Sequence, residues 1–121
     1  MMAAMQRAGV KRIICVSAMA LDANAEMGFF ISTASKILQR ILKNSFGDLR
    51  LMEAALKSSS FNWTVVRPPS LKDNPAIGKY RVAVGGHLIK PWSINRADLA
   101  NYINSILNDQ NTFKKTVEIA Y

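Results

Sequence analysis

The sequence is poor in cysteine, histidine and acid, and each shortage closes off a class of chemistry. Cys15 is the only cysteine, so the chain can form no internal disulfide and no thiolate metal cluster, and no metal site is expected. Within the apolar run Ile13-Ile-Cys-Val16 it reads as a structural thiol. A nucleophilic role would need His87, the only histidine, as its partner. No apolar stretch is long enough to span a bilayer. Met1-Met-Ala-Ala-Met5 lacks the basic start, long apolar middle and small-residue cleavage site of a secretory signal, so the expected compartment is the cytoplasm. Eight Asp and Glu against sixteen Lys and Arg leave a formal charge of +8, which favours an anionic partner such as a nucleotide or nucleic acid.

The excess charge is scattered along the chain. Its densest piece, Ser35-Lys-Ile-Leu-Gln-Arg-Ile-Leu-Lys43, separates Ile37, Leu38, Ile41 and Leu42 from Lys36, Gln39, Arg40 and Lys43, as a solvated amphipathic helix does. No zinc-finger spacing or aromatic-basic RNA motif accompanies it, which disfavours nucleic acid as a partner. Half of the 121 residues are hydrophobic and a fifth are charged, a composition that suits one globular domain.

Gly9, with Arg7 before it, marks the end of a helix that the chain already occupies at its start, and Val10-Lys-Arg-Ile-Ile-Cys-Val16 is strand material. Because that strand is apolar almost throughout, it is expected to be covered on both faces, as parallel strands are. Residues 18–34 read as a loop and 35–43 as the basic helix, broken by Asn44-Ser-Phe-Gly-Asp48. A second helix over about residues 47–59 is expected to bury Leu49, Met52 and Leu56. Trp63-Thr-Val-Val-Arg67 is a strand closed by Pro68-Pro69, which remove consecutive backbone donors. Residues 79–84 and 87–90 suggest a hairpin turning on Gly85-Gly86. Asn95-Arg-Ala-Asp98 suggests a capping box ahead of a helix over 96–108, with Leu99, Tyr102, Ile103 and Ile106 buried. Thr116-Val-Glu-Ile-Ala-Tyr121 is the last strand.

Alternating helix and strand is the α/β pattern. In such sheets ligands lie beyond the carboxyl ends of parallel strands. If the two apolar strands are parallel neighbours, Ser17 and Pro68-Pro-Ser70 open onto one crevice, with the prolines stiffening its rim and leaving carbonyls to accept from a ligand.

The succession Ala8-Gly-Val-Lys-Arg-Ile-Ile-Cys-Val-Ser17, Glu53-Ala-Ala-Leu-Lys-Ser58, Trp63-Thr-Val-Val-Arg-Pro68, Gly78-Lys-Tyr-Arg81 and Asn95-Arg-Ala-Asp-Leu-Ala100 resembles the C-terminal half of atypical short-chain dehydrogenase/reductases. Within them it is most similar to the NAD(P)H-binding group that contains biliverdin IXβ reductase/flavin reductase and the NmrA-like proteins. The resemblance implies an α/β, Rossmann-like parallel sheet with flanking helices, NADP or NAD as cofactor and a small-molecule acceptor as partner. It places the nicotinamide end at Ser17, Ala18, Pro68, Pro69, Ser70 and Leu71, with Ser17 and Ser70 as the catalytic candidates.

Two positions depart from the family. Where many short-chain dehydrogenases carry Tyr-x-x-x-Lys, this sequence has Phe46 and Arg50; phenylalanine has no proton to give, while Arg50 keeps a charge for ribose or phosphate, or serves as a surface residue. Flavin reductase-like members have a histidine where Ser70 stands. A non-catalytic NAD(P)-sensing protein and a basic interaction module therefore stand beside the reductase reading. The glycines, at 9, 28, 47, 78, 85 and 86, form no G-x-x-G-x-x-G or G-x-G-x-x-G turn for a pyrophosphate. With the start in mid-helix, this leads to the expectation that the N-terminal half of the fold is lacking, that residues 1–121 are the C-terminal part of one domain, and that the exposed edge of the first strand joins a homodimer.

Overall fold

The computed structural model describes residues 1–19 and 43–121, the side chains of 43–46 excepted. The elements run α1 (Met2–Ala8), β1 (Arg12–Val16), α2 (Lys43–Lys57), β2 (Asn62–Arg67), β3 (Ser70–Lys72), β4 (Arg81–Val84), β5 (Ser93–Asn95), α3 (Arg96–Ser105), a short 3-10 turn (Gln110–Thr112) and β6 (Lys115–Ala120). The loop expected over residues 18–34 and the helix expected over 35–43 lie, apart from their ends, outside the described residues.

The main sheet has the order β1-β2-β6-β4, with β1, β2 and β6 parallel and β4 antiparallel to β6. β1 and β2 pair in register from Arg12 opposite Asn62 to Val16 opposite Val66, so the expected parallel neighbourhood holds. A second, two-stranded parallel sheet joins β3 to β5.

Side chains alternate along a strand, and the two faces of the sheet are sorted accordingly. Ile13, Trp63 and Val65 meet Leu56 and Phe61 on the α2 side, with Met2, Met5, Cys15 and Met52 around them. Val66, Val117 and Ile119 meet Ile94, Leu99, Tyr102 and Ile106 on the α3 side. Leu99, Tyr102 and Ile106 thus form the buried stripe expected of α3, with Ile103 half-buried. α1 ends as its sequence predicts: Gly9 takes φ 72°, and the amides of Gly9 and Val10 donate to Gln6 and Met5.

Several local expectations are corrected. β1 is not covered on both faces: Ile13 alone is buried, Ile14 and Cys15 are half-buried and Val16 is exposed, whereas β2 is buried from Trp63 onward. The difference follows from position, since β2 has strands on both sides and β1 pairs on one side only among the described residues. α2 runs through the expected break at 44–48, because packing of Leu56 and its neighbours against the sheet outweighs the cost of about 1 kcal/mol for a helical glycine.

Residues 87–90 form no hairpin strand. β4 pairs with β6 instead, the Gly85 amide donates to Thr116, and the Leu88 amide donates to the buried Glu118 carboxylate at 2.8 Å. Asn95 and Asp98 make no capping box: Asn95 donates through Nδ2 to Pro75 O at 2.9 Å, and Asp98 accepts the amides of Ile77 and Gly78 at 2.9 Å each and the Tyr121 hydroxyl. Loop and terminus outcompete the helix for these side chains because they bring otherwise unpaired donors into a buried place.

Candidate functional site

The rim predicted at the carboxyl ends of β1 and β2 is formed, and tightly. The ladder continues past both strands, with Ser17 N donating to Val66 O at 2.8 Å and Met19 N to Pro68 O at 3.0 Å. Ser17 and Ala18 therefore lie beside Pro68, and Pro69 follows on the same edge. One expectation fails here: the Pro68 carbonyl is not left for a ligand, because the Met19 amide occupies it. The chain then turns away. Ser70 and Leu71 lie in β3, opposite Ser93 and Ile94 of the second sheet, with Ser70 exposed and Leu71 against the α3-side core. Arg50 is on the exposed surface of α2, three residues before Glu53.

Beneath this rim is a charge pair that inspection of the sequence missed. On β2, Trp63, Val65 and Arg67 share one face, and α2 lies over it. Arg67 donates through Nε and Nη2 to the two oxygens of Glu53 at 3.0 and 2.6 Å, and Lys57, one helical turn on, approaches Glu53 at 3.6 Å. Glu53 is 4% exposed and Arg67 8%. Burial on its own would raise the Glu53 pKa, but the bonds from Arg67, the nearness of the Ser17 hydroxyl and the charges of Arg67 and Lys57 outweigh it and hold the carboxyl below its ordinary value. The signal available in the sequence was an arginine closing an otherwise apolar strand, with a glutamate on the helix that packs against it.

Ser17 completes the arrangement. Its hydroxyl is buried and close enough to Glu53 to favour the ionised carboxylate, yet it makes no hydrogen bond of good geometry, and it is the only such orphaned side-chain atom among the described residues. A buried hydroxyl without a well-placed partner is costly unless something else completes it. A serine hydroxyl without a partner can accept from a ligand N–H or O–H at the strand ends, such as the carboxamide of a nicotinamide.

Cys15 carries no sign of activation: it packs beside Met52 in the α2-side core, and burial raises its pKa. No helix among the described residues is long and apolar enough to cross a membrane.

Comparison with known proteins agrees with this geometry. No curated protein matches the sequence. Among solved structures, a protein of Bacillus halodurans named for NAD-dependent epimerase/dehydratase activity is 28% identical over 96% of this chain and 49% of its own, with a TM-score of 0.69. A short-chain dehydrogenase/reductase of Veillonella parvula, solved in complex with NADP, is 20% identical over 98% of this chain and 54% of its own, with a TM-score of 0.81. An anaerobillin reductase of Escherichia coli is 21% identical over 95% and 52%, with a TM-score of 0.72. The last two share the fold, and the chain spans about half the length of the structures it matches. The profile of the NAD(P)H-binding family covers residues 1–110. Parallel strands ending at one rim, with this profile over most of the sequence, bear out the resemblance to atypical short-chain dehydrogenase/reductases: the chain belongs to the NAD(P)H-binding family.

Proposed function

We propose that this chain is the C-terminal part of a cytoplasmic NAD(P)H-dependent reductase whose acceptor is a small oxidised molecule such as a flavin or quinone. The orphaned Ser17 hydroxyl at the joined ends of β1 and β2 carries the reading. Family membership supports the cofactor, and the reductases among proteins of the same fold support the reaction class.

Bound NAD(P)H would supply the hydride, so the protein's share is binding, orientation and exclusion of water. Ser17 offers a lone pair to the carboxamide. Pro68 and Pro69 stiffen the wall beside it, because a proline ring fixes φ. The Glu53 carboxylate, held by Arg67, lies close to the Ser17 hydroxyl, and Arg50 and Ser70 are secondary candidates for cofactor contact. Proton donation by a tyrosine at the family's usual place is not open to this chain, since Phe46 stands there. A reductase that works by orientation tolerates that loss.

The same Phe46 favours a second reading, an NAD(P)-sensing regulatory protein of NmrA type that binds without turnover. NADPH oxidation with flavin and quinone acceptors separates the two, assayed on the chain as it stands and on any longer product of its gene. Turnover that falls at least tenfold in Ser17→Ala, while Ser70→Ala changes it less, is the expected outcome. Cofactor binding without turnover of any acceptor selects the sensor, and absence of cofactor binding overturns both.

A further inference from the structure

The α2-facing surface of the main sheet holds a second hollow, which meets the charge pair beneath the Ser17 rim at Arg67 and Lys57. It has a volume of about 310 Å3 and runs from the amino ends of β2 and β6 toward Arg67 and Glu118. Its walls carry Lys57, Lys114 and Lys115, with Trp63 at one end and the Gly85-Gly86 turn at the other.

Charge is the first observation. Both nearby carboxylates are internally engaged: Glu53 by Arg67, and Glu118 by the Leu88 amide and His87 Nδ1 at 2.8 Å each. Among the described residues, three lysines, Lys57, Lys114 and Lys115, line the hollow beside the single carboxylate of Glu118. A concave site with an excess of one sign concentrates its field on whatever enters.

Backbone geometry is the second. Lys114 sits at φ 57°, where a side chain costs about 1 kcal/mol and glycine or asparagine is the usual occupant. Its amide is fastened there by a 2.6 Å bond to Trp63 O. A lysine is kept at a place better suited to a smaller residue. Opposite it, Gly85 needs its positive φ of 71°, but neither a positive φ nor close packing requires glycine at 86: an added Cβ there would meet only Ala83 at 4.0 Å. Bare backbone at the lip of a cationic hollow admits close approach by an anion.

We propose that this hollow is a binding site for a small phosphate-bearing molecule, a phosphomonoester dianion, distinct from the nicotinamide rim. Three lysines on the walls favour a dianion, lysine ammonium groups bind phosphate as point charges, and the volume lies at the small end of ligand pockets. Glu118 forms the floor and disfavours deep entry of a second anionic group, which limits the ligand to one phosphate.

The test is titration of the chain with glycerol 2-phosphate, inorganic phosphate, acetate and NADP at constant ionic strength, read by calorimetry and by amide NMR shifts. Saturable binding of both phosphates, with shifts centred on Gly85, Gly86 and Lys115, is expected, while acetate gives neither. Lys114→Asn with Lys115→Gln should weaken binding at least tenfold, and asparagine keeps the left-handed backbone. Lys57→Gln, on the opposite wall and outside the strained turn, should weaken it several-fold, and Lys11→Gln should leave it unchanged. Equal response to acetate, shifts spread over lysines in general, or full binding by the Lys57 variant overturns the site. So does movement of Gly85, Gly86 and Lys115 by NADP but not by glycerol 2-phosphate. Binding of a DNA duplex with steep salt dependence, and of no small phosphate, overturns it in favour of a nucleic-acid surface.

Discussion

At the scale of the residue, the Glu53–Arg67 pair governs the rim because it is both buried and bidentate. A buried pair adds little over an apolar replacement, but removing one partner strands the other charge, at a cost of about 3 to 5 kcal/mol. Glu53→Gln should therefore destabilise the chain by about 3 kcal/mol, measured as a lower urea midpoint at neutral pH. The pH dependence has a definite sign. The folded pKa of Glu53 is lowered, so the unfolded state takes up the proton first as pH falls. The gap between wild type and variant should be full above about pH 4.3, the ordinary glutamate value, and shrink as pH drops toward the lowered folded value. A gap that stays constant on acidification would contradict this assignment of the carboxylate. The sequence carried only the bare signal of an arginine closing an apolar strand, because the alternation that sets Arg67 beneath α2 becomes informative only once the helix is known to lie on that face.

At the scale of the element, β1 is held by its ladder to β2 and also by one side chain at its first residue. Arg12 spends all five N–H donors, on the carbonyls of Leu107, Ile106 and Asn62 and the hydroxyls of Thr64 and Thr112, at 2.8 to 3.0 Å, with its guanidinium 4.5 Å from the centre of the Phe113 ring. It thus ties β1, β2, the end of α3 and the 3-10 turn at the amino end of the sheet. Arg12→Met keeps the stem and loses the bonds, so a loss of about 3 kcal/mol is expected in denaturant unfolding. Arg12→Lys should recover less than half, since a point ammonium cannot serve five acceptors. Full recovery by lysine would show that charge alone matters.

Which elements could be read in advance follows the same logic. The long ones carried their own periodicity, as in Leu99, Tyr102 and Ile106, or their own stop, as at Gly9 and Pro68. The hairpin at 79–90 and the box at Asn95–Asp98 failed because their local signals were overridden by partners distant in sequence, Glu118 and Tyr121 among them. In the candidate site, the meeting of Ser17 with Pro68 was legible from strand ends, while the turn of Ser70 and Leu71 into a second sheet depended on β5, whose three residues carry no pattern of their own.

At the scale of the whole molecule, the main sheet has two unlike flanks among the described residues. β1 offers five residues ending in the exposed Val16, whereas β4 has four residues and carries Arg81, which is bonded to the carbonyls of Ile89 and Tyr121. An apolar open strand recruits another, and a short strand with a charge resists it. Light scattering across a concentration series should show reversible association through β1, and Val16→Lys should shift it at least tenfold toward monomer. A monomer at every concentration would overturn the expected homodimer.

That inequality of flanks also decides how far any such growth can go. Two copies zipped along β1 about a twofold axis would turn the β4 flanks of their main sheets outward, and among the described residues those flanks decline further strands. Growth of the main sheet by this route would therefore stop at the pair.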